Sequence, residues 1–530
     1  MREGADLDEV GGERIGSVVE IDPAIGRAVI KKMMAKRDYH ATSLQTVGVI
    51  PAIPVEPSLL SMARDVAEHG FAMGGFRAAK DLLLQNGPCV VGTRSDDRQQ
   101  RPLLSRGEET VEGTLRLVRS LEASVLPVQG PPGTGKTFTA ARVIATLAQT
   151  HRVGITAVSH KVIRNLLDEI QVASAEAGAS LRIVQKGDPE DEDPAWLDVM
   201  KKNQDALAAV DAGTVVGGTV WLWSRDDARE TLDYLFVDEA GQMSLAHVLA
   251  ASQSARNLVL LGDPQQLQQP QRGAHPEGAE VSALSHLLGG AKTLPPDRGV
   301  FLETTWRLPP SICSFTSELY YESRLQPRDG LAHQAVIGGG QEASAIPASH
   351  SFPENGLIYV PVPHERNQSR SEEEVEAVAR LVEFLTRSGI RWRAFNHSSG
   401  RSESPRPLEL GDILIVAPYN AQVGALIGRL PNGARVGTVD RFQGQEAPVV
   451  IYSMTSSSAE DAPRGTEFLF DPNRMNVATS RARGLCFLVA SPGVMDTECR
   501  TPEQMKRANG VCRFVEMATE WFDVPEGTLS

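Results

Sequence analysis

Two periods of apolar residues run along this chain, and the change from one to the other divides it. From Val125 onward, short apolar runs alternate with stretches of helical spacing. That alternation predicts strands and helices of parallel α/β sheets. The first set of strands is predicted at Val125–Val128, Arg152–Thr156, Thr214–Gly217, Tyr234–Val237 and Leu258–Leu261. A second set begins near Val300, with strands at Leu357–Val360, Ile413–Val416, Val449–Tyr452 and Leu485–Val489. Upstream the pattern differs. Ile15–Ile21 and Arg27–Lys31 flank the turn Asp22–Gly26, and Gln45–Ile50 is a third candidate strand, which together predict a small antiparallel unit. Leu59, Leu60, Met62, Val66 and Leu82–Leu84 place a helical stretch over 57–85. Gly92–Gly107 is polar and reads as a linker, and Ala394–Leu410, rich in Ser, Arg, Pro and His, reads as a mobile loop. The predicted organisation is a β unit at 1–56, a helical stalk and linker at 57–124, and two α/β domains at 125–298 and 299–530.

Composition narrows the classes. A chain of 530 residues is long for one core and suggests about two to four domains. It contains no run of 18 apolar residues, and its acidic, polar first residues are unlike a signal peptide. Cys89, Cys313, Cys486, Cys499 and Cys512 form no C-x-x-C pair, which argues against a zinc or iron–sulfur centre and for reduced thiols in a cytoplasmic protein. The formal charge of −14 argues against coating nucleic acid by bulk attraction but leaves room for a local basic groove. Two acidic runs, Asp188–Asp193 and Glu372–Glu376, read as solvated faces.

Candidate chemistry gathers after the predicted strands. Gly130-Pro131-Pro132-Gly133-Thr134-Gly135-Lys136-Thr137 lies between the run Val125–Val128 and a helical pattern, Phe138–Leu147. Strand, glycine-rich loop and helix are the context of a phosphate-binding P-loop. Its backbone N–H groups cradle phosphate oxygens, Lys136 reaches the β- and γ-phosphates, and the Thr137 hydroxyl ligates Mg²⁺. Asp238 and Glu239 close the strand Tyr234–Val237. Beside a P-loop, Asp238 is placed to hold Mg²⁺ and Glu239 to polarise the attacking water. Gln266, in Gly262-Asp263-Pro264-Gln265-Gln266-Leu267, is placed to sense the γ-phosphate, although that stretch alone would read as a proline turn.

Over residues 125–490 the chain resembles the superfamily 1 helicases, in the 1B branch that includes the nonsense-mediated-decay helicase. The motifs that carry the resemblance occur in order. The P-loop, Val158-Ser159-His160-Lys161, Asp238–Gln242 and Gly262–Leu267 are followed by Thr304-Thr305-Trp306-Arg307-Leu308 and Ala417–Gln422. Then come Thr438–Glu446 and Asn473–Arg483. Their wording is also similar to the helicase half of bacterial proteins fused to a RecB-like nuclease. The resemblance implies two tandem RecA-like domains with ATP between them and movement 5′ to 3′ along single-stranded DNA or RNA. It implies that Arg307 and Arg481 reach the γ-phosphate from the second domain, that Trp306 stacks on the base and that Glu446 lies near the ribose. It further implies that Ser159, His160, Thr219, Tyr419 and Thr438 face nucleic acid.

The chain departs from the family in several places. Glu108–Ser124 holds no glutamine to read adenine, and Gln99 and Gln100 stand further upstream. Trp306 replaces a tyrosine and His160 an asparagine. No E-x-K triplet occurs, so a nuclease partner is expected to be absent or on another chain. A nucleic-acid-stimulated ATPase that remodels strands without unwinding is the alternative function. An inactive scaffold conflicts with the intact Lys136, Asp238, Glu239, Gln266, Arg307 and Arg481. A P-loop kinase or GTPase conflicts with the second set of motifs.

Overall fold

Two parallel sheets follow one another along the chain, as the alternation of apolar runs predicts. The computed structural model describes residues 6–9, 14–22, 27–40, 43–46, 52–91, 101–268, 281–338, 353–387, 389–442 and 444–521. The first sheet has eight strands, all paired in parallel. Their order is Val300–Phe301, Val125–Gln129, Ala255–Gly262, Leu232–Val237, Val153–Thr156, Thr214–Gly217, Arg182–Lys186 and Leu197–Met200. The second sheet has six strands, again parallel. Their order is Arg435–Gly437, Ile413–Val416, Ala447–Ser453, Ala482–Ala490, Gly356–Pro361 and Thr519–Glu520. The fold is α/β, with tandem RecA-like sheets.

Alternation along each strand explains why both faces are covered. In Leu232–Val237, Tyr234 and Phe236 join the apolar cluster on one face, and Leu235 and Val237 the cluster on the other. In Ile413–Val416, Leu414 and Val416 are likewise separated from Ile413 and Ile415. Successive strand residues point to opposite faces, so a continuous apolar run needs helices on both sides. The helix Lys136–Leu147 covers one face of the first sheet through Val143, Ile144 and Leu147, all of which are buried.

The N-terminal unit is a four-stranded antiparallel sheet in the order Arg27–Lys32, Arg14–Asp22, Asp6–Glu9 and Leu44–Thr46. Its expected turn at 23–26 and the end of its third expected strand, 47–50, lie outside the described residues. Asp6–Glu9 carries one apolar residue, Leu7, which is fully buried, too little for a pattern. The expected helical stretch is two helices, Val55–His69 and Arg77–Leu83. Gly70, at φ +71°, ends the first in a conformation glycine adopts without strain. A third helix, Thr110–Arg119, precedes the P-loop strand. Among the described residues, no helix is long and apolar enough to cross a membrane.

Three local expectations change. The expected mobile loop at 394–410 contains paired strands. Phe395–Asn396 pairs with Arg401–Ser402, and Arg406–Pro407 pairs with Arg391–Arg393. The Asn396 side chain accepts from the Ser398 and Ser399 N–H groups, both at 3.0 Å, which sets the turn. Arg406 grips Asp412 through two bonds of 2.6 and 2.7 Å. The run Glu372–Glu376 is not a wholly solvated face. Glu374 is fully buried, accepting from Ser453 Oγ at 2.5 Å and Thr455 N–H at 2.8 Å, and it lies 3.0 Å from His364 Nε2. In the other run, Asp193 pairs with Arg164 and accepts from Glu190 N–H at 2.8 Å.

Candidate nucleotide cleft and strand edge

In a parallel sheet the loops after the strands share one edge, and ligands sit there. In the first sheet that edge carries the P-loop, then Asp263, then Asp238 and Glu239, from three adjacent strands. Gly133 and Gly135 have φ of +73° and +76°, which side chains rarely adopt. A Cβ on Gly133 would also lie 2.4 Å from Arg307 Cβ. Gly133 is therefore required by the backbone and by the segment packed on it, and Gly135 by the backbone. The helix Lys136–Leu147 starts directly after Gly135 and aims its free N–H groups at the loop.

The charges at this edge compensate one another. Lys136 Nζ lies 3.2 Å from Glu239 Oε1. Burial acts to lower the Lys136 pKa, but Glu239, Asp238 and Asp263 outweigh it and hold the ammonium above its ordinary value. Burial pushes Asp238 up to about 6, opposed by Lys136 and reinforced by Glu239. Asp263 is also raised by burial, although Tyr321 and Gln266 both donate to it. Glu239 sits at φ +52°, unusual for a residue with a side chain, and its carboxylate accepts from Gln242 Nε2 at 3.3 Å. Hard oxygens at Asp238 and Thr137 are the donor set that suits Mg²⁺. A buried carboxylate with a raised pKa is a group whose charge a cation would restore.

Groups from the start of the second sheet meet this edge. Arg481 immediately precedes the strand Ala482–Ala490, and Glu446 immediately precedes Ala447–Ser453. Arg481 is 3% exposed, its Nη2 lies 3.5 Å from Gln266 Oε1, and its Nε has no hydrogen-bond partner. Burial, then the like charge of Arg307, pushes its pKa down to about 9. Arg307 donates to Glu446 at 2.6 Å and to the Ser480 carbonyl at 3.3 Å. Glu446 also lies 3.3 Å from Arg483. Burial would raise Glu446, but Arg307 and Arg483 hold it below its ordinary value. The structure thus brings Gln266, Arg307, Arg481 and Glu446 together.

Arg307 reaches the cleft on a segment tied to the P-loop itself. Thr305 Oγ1 donates to the Pro132 carbonyl at 3.0 Å, and Trp306 N–H donates to the Gly133 carbonyl at 2.8 Å. The Trp306 ring is 44% exposed. The Arg328 guanidinium lies 3.6 Å from its centroid, and His397 meets its edge at 5.3 Å. A cavity of about 1110 Å³ opens between Trp306, Gly133–Gly135, Phe138 and the 105–111 segment. Gln99 and Gln100 lie outside the described residues.

The residues expected to face nucleic acid follow the ends of other strands. Ser159 and His160 follow Val153–Thr156, and Thr219 follows the neighbouring Thr214–Gly217. Tyr419 and Thr438 follow Ile413–Val416 and Arg435–Gly437, also neighbours. His160 is exposed, Ser159, Thr219 and Thr438 are half-buried, and Tyr419 is 7% exposed. Ser159 Oγ caps its helix by accepting from Val162 N–H at 3.3 Å. Burial and then Lys186 hold the His160 imidazole below its ordinary pKa.

A clasp between the sheets went unnoticed in the sequence. Tyr321 Oη donates to Asp263 at 2.6 Å, and Asn476 Nδ2 donates to the Gln265 carbonyl at 2.7 Å and to Tyr321 Oη at 2.9 Å. Burial, and next the Asp263 charge, push the Tyr321 hydroxyl well above its usual pKa. Asn476 lies inside a quoted motif, so its surroundings were a signal. Tyr321 lies outside every motif and carried none.

Comparison with known proteins adds the family. Residues 113–281 match one AAA domain family, and residues 280–493 match a second family of that description. The DNA replication ATP-dependent helicase/nuclease DNA2 of Bos taurus is 27% identical over 420 residues, which cover 72% of this chain and 36% of that protein. The DNA polymerase alpha-associated DNA helicase A of Schizosaccharomyces pombe is 24% identical over 420 residues, covering 68% of this chain and 60% of that one. The chain thus spans about a third of the bovine relative and under two thirds of the yeast one. A solved arterivirus nonstructural protein 10 helicase with DNA aligns at 15% identity and a TM-score of 0.36, over 70% of this chain and 61% of that one. Consecutive matches to AAA domain families and to named helicases, on tandem parallel sheets that carry the ordered motifs, thus make the chain similar to ATP-dependent helicases through both of its sheets.

Proposed function

We propose that this chain is a translocase that hydrolyses ATP between its two sheets and moves 5′ to 3′ on single-stranded nucleic acid. The observation that carries this reading is the meeting of Arg481 with Gln266, and of Arg307 with Glu446, beside the P-loop. In phosphoryl transfer, charge spreads over the equatorial oxygens of the γ-phosphate, and guanidinium groups aimed there lower the barrier.

The roles follow from position. The N–H groups of Gly130–Thr137 bind the phosphates, and Lys136 leaves Glu239 to reach the β- and γ-oxygens. Glu239, freed of Lys136, orients water for in-line attack and takes its proton. Thr137 and Asp238 would hold Mg²⁺, which would supply positive charge to the phosphates. Gln266 senses the γ-phosphate, and Arg307 and Arg481 balance the developing negative charge. Trp306 offers a stacking face to the base, and Glu446 the carboxylate nearest the sugar. Ser159, His160, Thr219, Tyr419 and Thr438 grip the strand backbone. Hydrolysis removes the ligand that holds Arg481 toward the P-loop, so the two sheets separate and re-close once per turnover.

The bovine relative's name describes an ATP-dependent helicase/nuclease in DNA replication, which supports a nucleic-acid substrate for this chain. The test is ATP hydrolysis measured with and without matched single-stranded DNA and RNA. Stimulation by at least one polymer is expected. An ATPase rate indifferent to both would overturn the translocase reading.

A further inference from the structure

Between the last two motifs the chain carries a stretch, 454–471, to which no role has been assigned. It leaves the end of the strand Ala447–Ser453, forms the helix Gly465–Leu469, and feeds the helix Pro472–Thr479 that returns to the start of Ala482–Ala490. Tyr419 follows the end of the neighbouring strand Ile413–Val416, where Val416 pairs with Tyr452. Tyr419 and this stretch therefore share one edge of the sheet.

The side chains there form an aromatic and basic cluster. The Phe468 ring lies 5.4 Å from the Tyr419 ring, tilted by 36°. The Arg474 guanidinium lies 4.3 Å from the Phe468 centroid and that of Arg464 lies 4.7 Å from it. Their charge states differ. Arg474 is shared between Asp440 at 3.8 Å and Asp471 at 3.7 Å. Arg464 is exposed and, among the described residues, has no carboxylate within ion-pair distance. Arg474 already lies over the Phe468 ring, so Arg464 is not needed to cover it. In a chain of net charge −14, Arg464 is thus a guanidinium with no carboxylate partner beside a half-buried ring.

We propose that Arg464 and Phe468 form a platform for a single-stranded polynucleotide, with Arg464 on a backbone phosphate and Phe468 offering a stacking surface to a base. The inference rests on the single-strand reading above and extends it to residues outside the motifs. Guanidinium groups donate in a fork that fits phosphate oxygens, and aromatic faces stack any base without a sequence code. The platform continues the edge on which Tyr419 and Thr438 lie. Phosphate is common to DNA and RNA, so both polymers fit.

The test is binding of labelled oligodeoxythymidine and oligouridine by the whole chain across a salt series. For single strands, log K against log salt falls by about 0.7 for each phosphate contact neutralised. Arg464→Ala is expected to weaken both polymers about tenfold at low salt and to flatten both slopes by about 0.7. Arg464→Lys should retain the wild-type slope. Phe468→Leu should weaken binding with the slope unchanged. Wild-type affinity and slope in Arg464→Ala would overturn the platform while leaving the translocase reading intact, as would a slope change in one polymer alone. No strand binding by the wild-type chain would overturn both. Arg464 is exposed, so its replacement leaves the fold standing, and unchanged ADP affinity serves as the control.

Discussion

Replacing Arg481 by methionine should make the resting protein no less stable while it disables the motor. The guanidinium is 3% exposed, its Nε has no partner, and its nearest acceptor is Gln266 Oε1 at 3.5 Å. Burial and Arg307 hold it down to about 9, well below its ordinary value. That difference corresponds to roughly 5 kcal/mol against the charged form. A buried charge without a full set of partners is a cost the fold carries. Methionine has a similar volume, fills irregular space and removes the charge. Exchanges of buried ions for apolar residues are often neutral or stabilising by about 1–4 kcal/mol. Turnover should move the other way. A guanidinium that stabilises the γ-phosphate only as charge develops is worth about 10³-fold, or about 4 kcal/mol of barrier. ADP has no γ-phosphate, so its affinity should change little. Three measurements on Arg481→Met decide the matter: denaturant midpoint without nucleotide, ADP affinity, and steady-state ATP turnover with saturating single strand. A midpoint that falls together with turnover would show that Arg481 serves the fold, and the reasoning would fail.

Lys136→Ala should abolish hydrolysis, because Lys136 is the ammonium placed beside Glu239 at the P-loop, 3.2 Å away; a mutant that keeps most of its ATPase rate would remove the site assignment. Glu239→Gln should lower single-turnover hydrolysis by about 10²-fold or more with nucleotide affinity nearly kept, as loss of a general base does. Collapse of nucleotide binding in that variant would instead make Glu239 a structural partner of Lys136. Asn476→Ala removes donors to the Gln265 carbonyl and Tyr321 Oη, at 2.7 and 2.9 Å. Leaving buried acceptors unpaired costs about 1–3 kcal/mol. Single-strand stimulation of the ATPase should fall more than the unstimulated rate, and equal losses in both would refute a role in joining the sheets.

Central strands were legible because their physics is local. Thr214–Gly217 and Ile413–Val416 have the expected bounds, since each is a buried run with no charged residue in it. Leu197–Met200 and Arg435–Gly437 were missed. Each is a short strand at the edge of its sheet, Leu-Asp-Val-Met or Arg-Val-Gly, and Asp198 or Arg435 puts a charge into the run. The burial of Glu374 was invisible for a different reason. Its partners Ser453 and Thr455 lie about eighty positions away, and nothing in the run Glu372–Glu376 distinguishes the residue that turns inward. The P-loop could be read because strand, glycines and helix are contiguous. The pairing of Arg481 with Gln266 spans two domains and rests on their motifs. The resting partners could not be read at all: that Lys136 sits against Glu239, and Arg307 against Glu446, depends on the folded distances alone.

Those resting partners and the helix Pro472–Thr479 give the cleft a route to the strand. The helix starts at the edge that carries Tyr419 and ends at the edge that faces the P-loop. Arg474, in its first turn, lies over Phe468, and Arg481 follows its last turn. Arg481 stands seven positions after Arg474, a span of about 10 Å at the helical rise. Asn476, between them, is bonded across the cleft to Gln265 and, on its own side, to Tyr321, which donates to Asp263. A shift of this helix therefore changes the Phe468 cluster, the clasp and the approach of Arg481 to Gln266 together. On the proposed roles, a triphosphate would compete for Lys136 against Glu239 and for Arg307 against Glu446, and its arrival would replace two internal ion pairs with contacts that need both sheets. A strand at Phe468 favouring one setting of the helix would bias the same closure from the other end. Coupling of this kind is reciprocal. A non-hydrolysable ATP analogue should therefore change single-strand affinity by the same factor by which the strand changes affinity for the analogue. Both factors are measurable by titration on one sample, and Asn476→Ala should bring both toward one. If it left the coupling at its wild-type value, the helix and its clasp would not be the route.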